Sequence, residues 1–501
     1  MVSGPDPEDP KGLLPNPELC YPIHRMSPDR SKQFLAPQFR PIRRTGLVAL
    51  LAFVLVCLRT LSAEPPPQFQ PLAAAVETNS SPPSEIYRQL AAEIEANLMD
   101  QILAKWYPRA MDDQGGGFFQ NYNEDWSPGI TGSKAVVYES RLTWTAAQAA
   151  MRFPEQAAMY SAAARQGLDF LAQKMWDQTN GGFFWSVDDH GIPTGGQGGG
   201  DGGSKQEYGN GFAVFAAAAV YQLTRDPAAL ALAKKGFLWY DEHGHDAIHG
   251  GYYEILTAAG QPDATATPAV GGEWNGKTMN SSIHMLEALT SLYQVWPDAR
   301  VKLRLREMFD LLRNTVAADP GYLIQFFRAD WQPLPGDDSY GHDVETSYLL
   351  VEAAAALGIP ADEQTWSTAR KLVDHALSVG WDPARAGMYD SGGIGGGHYS
   401  AVRDWWVEAE MLNALLLMHE HLGRSQPQYW QAFLGQWKWI KQYGIDPVHG
   451  GWWPRVNNDG SPVHGGKSDA WTECYHQGRA LLNVSARLRR LAEEANSNYS
   501  H

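Results

Sequence analysis

The chain has 501 residues, 44% of them hydrophobic, which is enough to bury a large core. Its formal net charge of -16 and pI near 5.4 exclude the clustered Lys and Arg that a phosphate backbone demands, so nucleic acid is not an expected partner. The 19 Trp and 21 Tyr provide flat amphipathic rings that suit sugar faces as well as cores.

Residues 1–45 are rich in Pro, Arg and Lys, without periodicity, and an uninterrupted apolar run follows at 46–58 behind Arg43 and Arg44. That run is shorter than the roughly 20 residues a spanning helix needs. With Leu61-Ser62-Ala63 after it, the pattern reads as a signal peptide cleaved near Ala63, giving an exported chain, periplasmic or secreted. Met26 offers a second start, and Arg43-Arg44 fits a twin-arginine route. An uncleaved N-terminal anchor is the competing reading, and the only membrane attachment expected. Cys20 and Cys57 fall in this leader, so Cys474 alone remains afterwards and neither an intramolecular disulfide nor a Cys-based zinc site is expected. The expected organisation is a leader over 1–63, a Pro-rich flexible linker over 64–83, one helical domain over 84–495, and a short tail over 496–501. A monomer and a homodimer are both compatible with it.

From Ser84 onward one element recurs. It appears as Gly116-Gly117-Phe118-Phe119, Gly181-Gly182-Phe183-Phe184, Gly250-Gly251-Tyr252-Tyr253 and Gly450-Gly451-Trp452-Trp453, and more weakly as Gly321-Tyr322 and Gly387-Met388-Tyr389. A fixed interval of this kind marks a repeated supersecondary unit, and six units fit. Between the turns lie apolar segments of helical spacing at 142–151, 212–223, 283–295, 347–357, 409–422 and 478–491, with second helices at 156–175, 227–241, 299–317 and 363–379. Two helices in each of six units predict an all-α fold, an (α/α)6 barrel, with short β-hairpins such as 182–187 and 451–456 at one rim. The Gly turns themselves read as architecture, Gly supplying positive φ and the aromatics packing beneath.

Polar residues recur where each inner helix begins: Ser140-Arg141, Tyr208-Gly209-Asn210, Asn280 with His284 and Glu287, His342 with Glu345, Trp405-Trp406 with Glu408 and Glu410, and Trp471 with Tyr475-His476. Six-fold symmetry would bring these starts to one end of the axis. Each has a bland alternative: a lone His near a helix start is usually a surface or capping residue, and Glu287 or Glu408 could bond the opening turn. Joint recurrence favours a shared pocket. The stretch Gly271-Gly-Glu-Trp-Asn-Gly-Lys277-Thr278 has P-loop spelling, but Pro268 stands where the required strand should run. The Gly-rich runs 195–203 and 392–397 read as loops, with a lid over the pocket as their functional reading. A metal site from His284, His342, Glu345 and His476 is geometrically conceivable.

The ordered set Lys277-Thr-Met-Asn280-Ser-Ser-Ile-His284-Met-Leu-Glu287, Gly341-His342-Asp343-Val344-Glu345, Asp404-Trp405-Trp406-Val-Glu408-Ala-Glu410 and Trp471-Thr-Glu-Cys-Tyr475-His476-Gln-Gly-Arg479 resembles the N-acylglucosamine 2-epimerase superfamily, and within it the cellobiose 2-epimerases. The resemblance runs from Ser84 to about Leu491. It implies an (α/α)6 barrel that inverts C2 of a reducing-end sugar by proton transfer through an enediolate, with no cofactor and no metal. On that resemblance His342 and His476 are the acid–base pair, Glu345 orients an imidazole, and Arg141 stabilises the enediolate oxygen. His284 then assists ring opening and Asn280 positions a hydroxyl. Trp405 and Trp471 stack on sugar rings, while Tyr208 and Glu410 contact hydroxyls. The expected substrate is a cellobiose-type disaccharide, glucose going to mannose. Alternatives are a monosaccharide N-acylglucosamine 2-epimerase or mannose isomerase, a glycoside hydrolase using Glu345 and Glu410, and a sugar-binding scaffold without chemistry.

Overall fold

A computed structural model describes residues 83–130, 132–194, 203–263, 265, 276–398 and 401–497. The leader, the linker up to residue 82, residues 498–501 of the tail, most of the Gly-rich run at 195–203 and all but the last three residues of the P-loop-like stretch lie outside them. Among the described residues no helix is long and apolar enough to cross a membrane.

Six helices are buried nearly all round over their first three turns: α2 (Val136–Arg152), α4 (Glu207–Thr224), α6 (Met279–Val295), α8 (Tyr340–Ala356), α10 (Trp405–Leu422) and α12 (Tyr475–Ser497). A helix without a solvent face belongs inside, and these form the inner ring, each packed on the next and α12 returning to α2. The outer ring is amphipathic: α1 (Pro83–Asn97), α3 (Ala157–Phe170), α5 (Pro227–His243), α7 (Ala299–Leu311), α9 (Glu363–Val379) and α11 (Pro427–Trp439). Here α1 packs on α12 and closes the toroid. The expected (α/α)6 barrel is therefore the fold. Outer helices start on local signals: Asp226, Asp298 and Asp362 accept backbone N–H groups as N-caps, and Pro227 and Pro427 occupy the first turn.

The inner helices begin three to seven residues earlier than their apolar period suggests. Their opening turns carry polar side chains that bond hairpins or line the axial cavity, so the hydrophobic spacing starts only below them.

The rim is a ring of two-stranded pairings. The residues leading into each inner helix pair with the hairpin of the next unit: Lys134 with Val187, Lys205 with Leu256, Lys277 with Phe327, Ser339 with Ser391 and Arg403 with Val456. Ser468 bridges back to Tyr122 and completes the circle. Beneath it repeats a buried ion pair. In each Gly turn an Asp caps two backbone N–H groups and takes a cation from the next inner-helix start: Lys134 to Asp112 at 2.6 Å, Lys205 to Asp177 at 3.1 Å, Lys277 to Asp246 at 2.8 Å, Arg403 to Asp382 at 2.5 Å and Lys467 to Asp446 at 2.7 Å. The fourth unit departs: Asp338 holds the cation's place and pairs with His375 at 2.9 Å. Lys277, the lysine of the P-loop spelling, also donates to the carbonyls of Gly250 and Ala329 and is a rim fastener. Both glycines of the second turn, Gly181 and Gly182, have positive φ, and a Cβ on either would run into the Trp239 indole.

Candidate active site

The rim fasteners fix where the inner helices start, and the next turn of each presents polar groups to the axis. In α6, His284 and Glu287 are three apart on one face, and His284 Nδ1 lies 3.0 Å from Glu287 Oε2. In α8 the N-cap residue Ser339 makes no capping bond; its Oγ lies 2.6 Å from His342 Nδ1. In α12, His476 Nδ1 lies 2.7 Å from Glu410 Oε1 of α10, whose Oε2 accepts the Tyr348 hydroxyl at 2.7 Å. All three imidazoles are thus held through Nδ1, and each Nε2 has no hydrogen-bond partner among the described residues. Both carboxylate-held rings, with Nδ1–H donating, present an Nε2 lone pair.

The three rings share one space. The Trp406 indole touches His342 at 4.8 Å and His476 at 5.4 Å between centroids. His284 is packed by Phe212 at 4.7 Å and by Tyr208 at 5.0 Å. Burial, followed by the Arg141 charge, pushes His284 and His476 well below the ordinary imidazole range and His342 to about 4. A positive charge on His342 further disfavours one on His284 or His476, as expected of groups facing one cavity.

Arg141 is buried and donates to Glu473 Oε1 at 2.9 Å and to the Tyr208 hydroxyl at 3.0 Å. Each terminal nitrogen keeps a second N–H. Burial pulls its pKa down, but Tyr208, Glu473 and Tyr475 outweigh it and the group is held above its usual value. Glu345 is fully buried and neither carboxylate oxygen has a partner. Burial raises it to about 8 against the pull of Arg141, and Glu410 is raised well above its ordinary value by burial and by Glu345. Two such carboxyl groups hold a proton between them. Glu345, Glu410 and His476 each offer a ligand atom within 4.8 Å of the others, the arrangement among the described residues that could hold a metal ion. It contains only two of the four residues considered from sequence.

A cavity of about 290 Å³ adjoins the cluster and is walled by Trp185, Trp471, Asp469, Ser186 and Gln120. Trp471 lies 5.9 Å from Trp185 and 6.0 Å from Tyr208, which joins this chamber to the Arg141 side of the cluster.

The sequence matches the family described as N-acylglucosamine 2-epimerase (GlcNAc 2-epimerase) over residues 117–480. The chain belongs to that family. It is similar to a cellobiose 2-epimerase of Bacteroides fragilis, 29% identical over 397 residues that cover 79% of this chain and 98% of that protein. A D-mannose isomerase of Marinomonas mediterranea is 23% identical over 415 residues, covering 78% and 96%. The solved cellobiose 2-epimerase from Spirochaeta thermophila superposes with a TM-score of 0.70 at 31% identity, over 81% of this chain and 98% of that one. This member of the N-acylglucosamine 2-epimerase family is accordingly an enzyme of the carbohydrate epimerase and isomerase class.

Within this epimerase-family barrel, His284, His342, His476, Arg141, Tyr208, Glu345, Glu410 and Trp471 all lie around the axial cavity or its side chamber. Asn280 opens α6 one turn before His284, with its Oδ1 buried and unpartnered. Two expectations change. Within the His342–His476 pair the carboxylate that holds an imidazole is Glu410 and not Glu345, because Tyr348 and His476 engage both oxygens of Glu410 while those of Glu345 have no partner among the described residues. The indole against the histidines is Trp406; Trp405 packs on the core with a buried, unpartnered Nε1. Two other polar residues at the helix starts serve the fold: Asn210 accepts the Phe183 N–H at 2.8 Å and Glu408 accepts that of Met388 at 3.2 Å. Ser339, Tyr348 and Glu473 complete the cluster and were not singled out from sequence. Ser339 stands at His342's helix start and Tyr348 follows Glu345 by three residues on one face, a usable signal, whereas Glu473 lies before its helix and carries none.

Proposed function

We propose that the protein inverts C2 of the reducing-end sugar of a β-1,4-linked disaccharide of the cellobiose type, glucose to mannose. His342 and His476 are the acid–base pair: one Nε2 removes the proton at C2 of the opened aldose, and the other histidine returns a proton to the opposite face of the enediolate. Positioned transfer of this kind contributes about 10²–10⁴-fold. Arg141 stabilises the enediolate oxygen through its charge and its remaining N–H groups. His284 exchanges a proton with the anomeric oxygen during ring opening, and Asn280 and Tyr208 position hydroxyls. Glu345 makes the acidic contact to the opened sugar, Glu410 fixes His476, Trp471 carries the non-reducing ring, and Trp405 has the weaker support of a core-packed indole. The observation that carries this reading is that both imidazoles touch the Trp406 indole with Nδ1 engaged and Nε2 unpartnered. The second chamber beside Trp471 supports a disaccharide over a monosaccharide. The leader is read as an export signal cleaved near Ala63, which N-terminal sequencing of the mature protein would test.

The deciding experiment incubates the full chain with cellobiose, lactose, mannobiose, mannose and N-acetylglucosamine in deuterated water and follows C2 by NMR. Mass-neutral conversion with deuterium at C2 is expected, strongest for the β-1,4 disaccharides, and lost in His342→Ala and His476→Ala with the fold intact. Exchange retained in both variants would remove the two-histidine mechanism, and release of monosaccharides would favour hydrolysis.

A further inference from the structure

Behind the histidine cluster the inner ring encloses a second polar chamber of about 180 Å³, lined among others by Trp144, Gln148, Gln222, Gln294, Glu352 and Arg479. It lies deeper along the axis: Gln294 follows His284 by ten residues in α6, which is roughly 15 Å of helix. Glu287 belongs to both spaces. Glu287 bonds His284 Nδ1 through Oε2, and its Oε1 faces the Arg479 guanidinium and accepts the Tyr475 hydroxyl. Arg479 is buried, donates to Glu352 Oε2 at 2.7 Å and to the Tyr475 hydroxyl at 2.7 Å, and its guanidinium lies 5.0 Å from the Tyr348 ring. No hydrogen bond of Arg479 reaches an imidazole: its bonded route to His284 runs through Glu287, and its charge adds to the forces that keep that imidazole neutral.

We propose that Arg479 is a positioning residue: by keeping Glu287 an anion it fixes the proton of His284 on Nδ1, so that Nε2 meets the sugar as a lone pair. A buried carboxylate that loses its cation takes up a proton instead. Protonated Glu287 would donate to Nδ1, the imidazole proton would move to Nε2, and the anomeric hydroxyl would find no acceptor there. Burial lowers Arg479 only to about 9, so it remains cationic at neutral pH. The deeper chamber also gives Arg479 an approach of its own, separate from the cavity that holds the sugar. This inference rests on the ring-opening role given above to His284, and its test separates the two.

In wild-type protein without sugar, ¹⁵N NMR of the histidine side chains should show His284 with Nδ1 protonated and Nε2 bare. Arg479→Met should reverse that tautomer and lower kcat on the disaccharide by about 10–100-fold with KM within about threefold. Arg479→Lys should keep the wild-type tautomer and most of the rate. Arg479→Ala should be rescued at least fivefold by millimolar guanidinium chloride, noncompetitively with the sugar, because the cation re-enters through the deeper chamber. An unchanged tautomer in Arg479→Met overturns the inference, as does rescue that competes with sugar, or none in an Arg479→Ala protein of wild-type helicity. Should Arg479→Ala fail to fold, the tautomer in Arg479→Lys decides: reversal there overturns it. Absence of C2 exchange in the wild type would count against the proposed epimerase reaction while leaving the tautomer result standing.

Discussion

Glu410 grips His476 from behind: its Oε1 lies 2.7 Å from Nδ1 of the ring and its Oε2 takes the Tyr348 hydroxyl at 2.7 Å. The carboxylate bridges α10 to α12 and to α8, so it fixes both the rotation and the tautomer of an imidazole on a different helix. Glu410→Gln keeps the shape, but its amide can turn an N–H toward Nδ1 and force the proton onto Nε2. We expect C2 deuterium exchange to fall on the order of 10²–10⁴-fold with helicity and sugar binding retained. Tyr348→Phe, which removes only the outer clamp, should cost less. An unchanged exchange rate in Glu410→Gln would show that His476 needs no such fixing.

The histidines also set a pH dependence. Burial first, and Arg141 second, bring His342 to about 4, so its imidazole is half-protonated near pH 4 and mostly neutral from about pH 5 upward. The acid limb of kcat/KM, which reports the free enzyme, should therefore lie below the ordinary imidazole value of about 6.5. Removing the Arg141 charge relieves repulsion of the imidazolium, and Arg141→Met should move that limb toward 6.5 even as the rate itself drops. Stability has the same sign. Because the folded value of His342 is depressed, its contribution is fully present above about 6.5 and is lost as pH falls toward 4. Rate profiles and chemical denaturation between pH 4 and 8 check both statements; an acid limb at or above 6.5 would refute the first.

The six-fold count and the sites of convergence were legible because they are periodic. Gly-Gly-aromatic turns return at a fixed interval, and His284, His342 and His476 each stand within two turns of an inner-helix start. The partners of those histidines were less legible, and for a physical reason. Glu345 and His342 are neighbours on one helix, so spacing favoured them as a pair, but the carboxylate that reaches His476 comes from α10, and only the packing of α10 against α12 decides that. Trp405 and Trp406 are adjacent in sequence and differ by about 100° around the helix, a difference that composition does not carry. The rim fasteners were hidden in another way: Asp112, Asp177, Asp246, Asp382 and Asp446 sit at one offset before their turns, but each finds its cation 21 to 31 residues further along the chain, ahead of the following inner helix.

Those fasteners are strong enough to test as stability elements. Lys277 is buried, bonds Asp246 Oδ2 at 2.8 Å and ties the start of α6 to the third turn. Lys277→Met would leave the buried Asp246 carboxylate without its lysine, held only by its capping N–H groups and His249, and breaking such a pair costs up to about 3–5 kcal/mol. Chemical denaturation should register that loss. Lys277→Met with Asp246→Asn together should recover part of it, since no unpaired charge then remains. Two single variants that add without coupling would mean the pair is not the fastener.

The division between the histidine cluster and the Trp185–Trp471 chamber predicts how substrate size is read. Trp471 lies 6.0 Å from Tyr208 on one side and 5.9 Å from Trp185 on the other, so it forms the wall that a second sugar ring would meet once the first lies among the imidazoles. A ring stacked on an indole gains roughly 0.5–1.5 kcal/mol beyond simple burial, up to about tenfold in affinity. Trp471→Ala should raise KM for cellobiose by about that factor with kcat little changed, because a contact far from C2 is made equally in ground and transition states. Turnover of free mannose should stay within about twofold, since a single ring occupies only the inner space. Trp185→Ala should follow the same pattern more weakly. Equal losses on mannose and cellobiose would mean that the chamber does not receive a second ring, and the substrate would then be a monosaccharide.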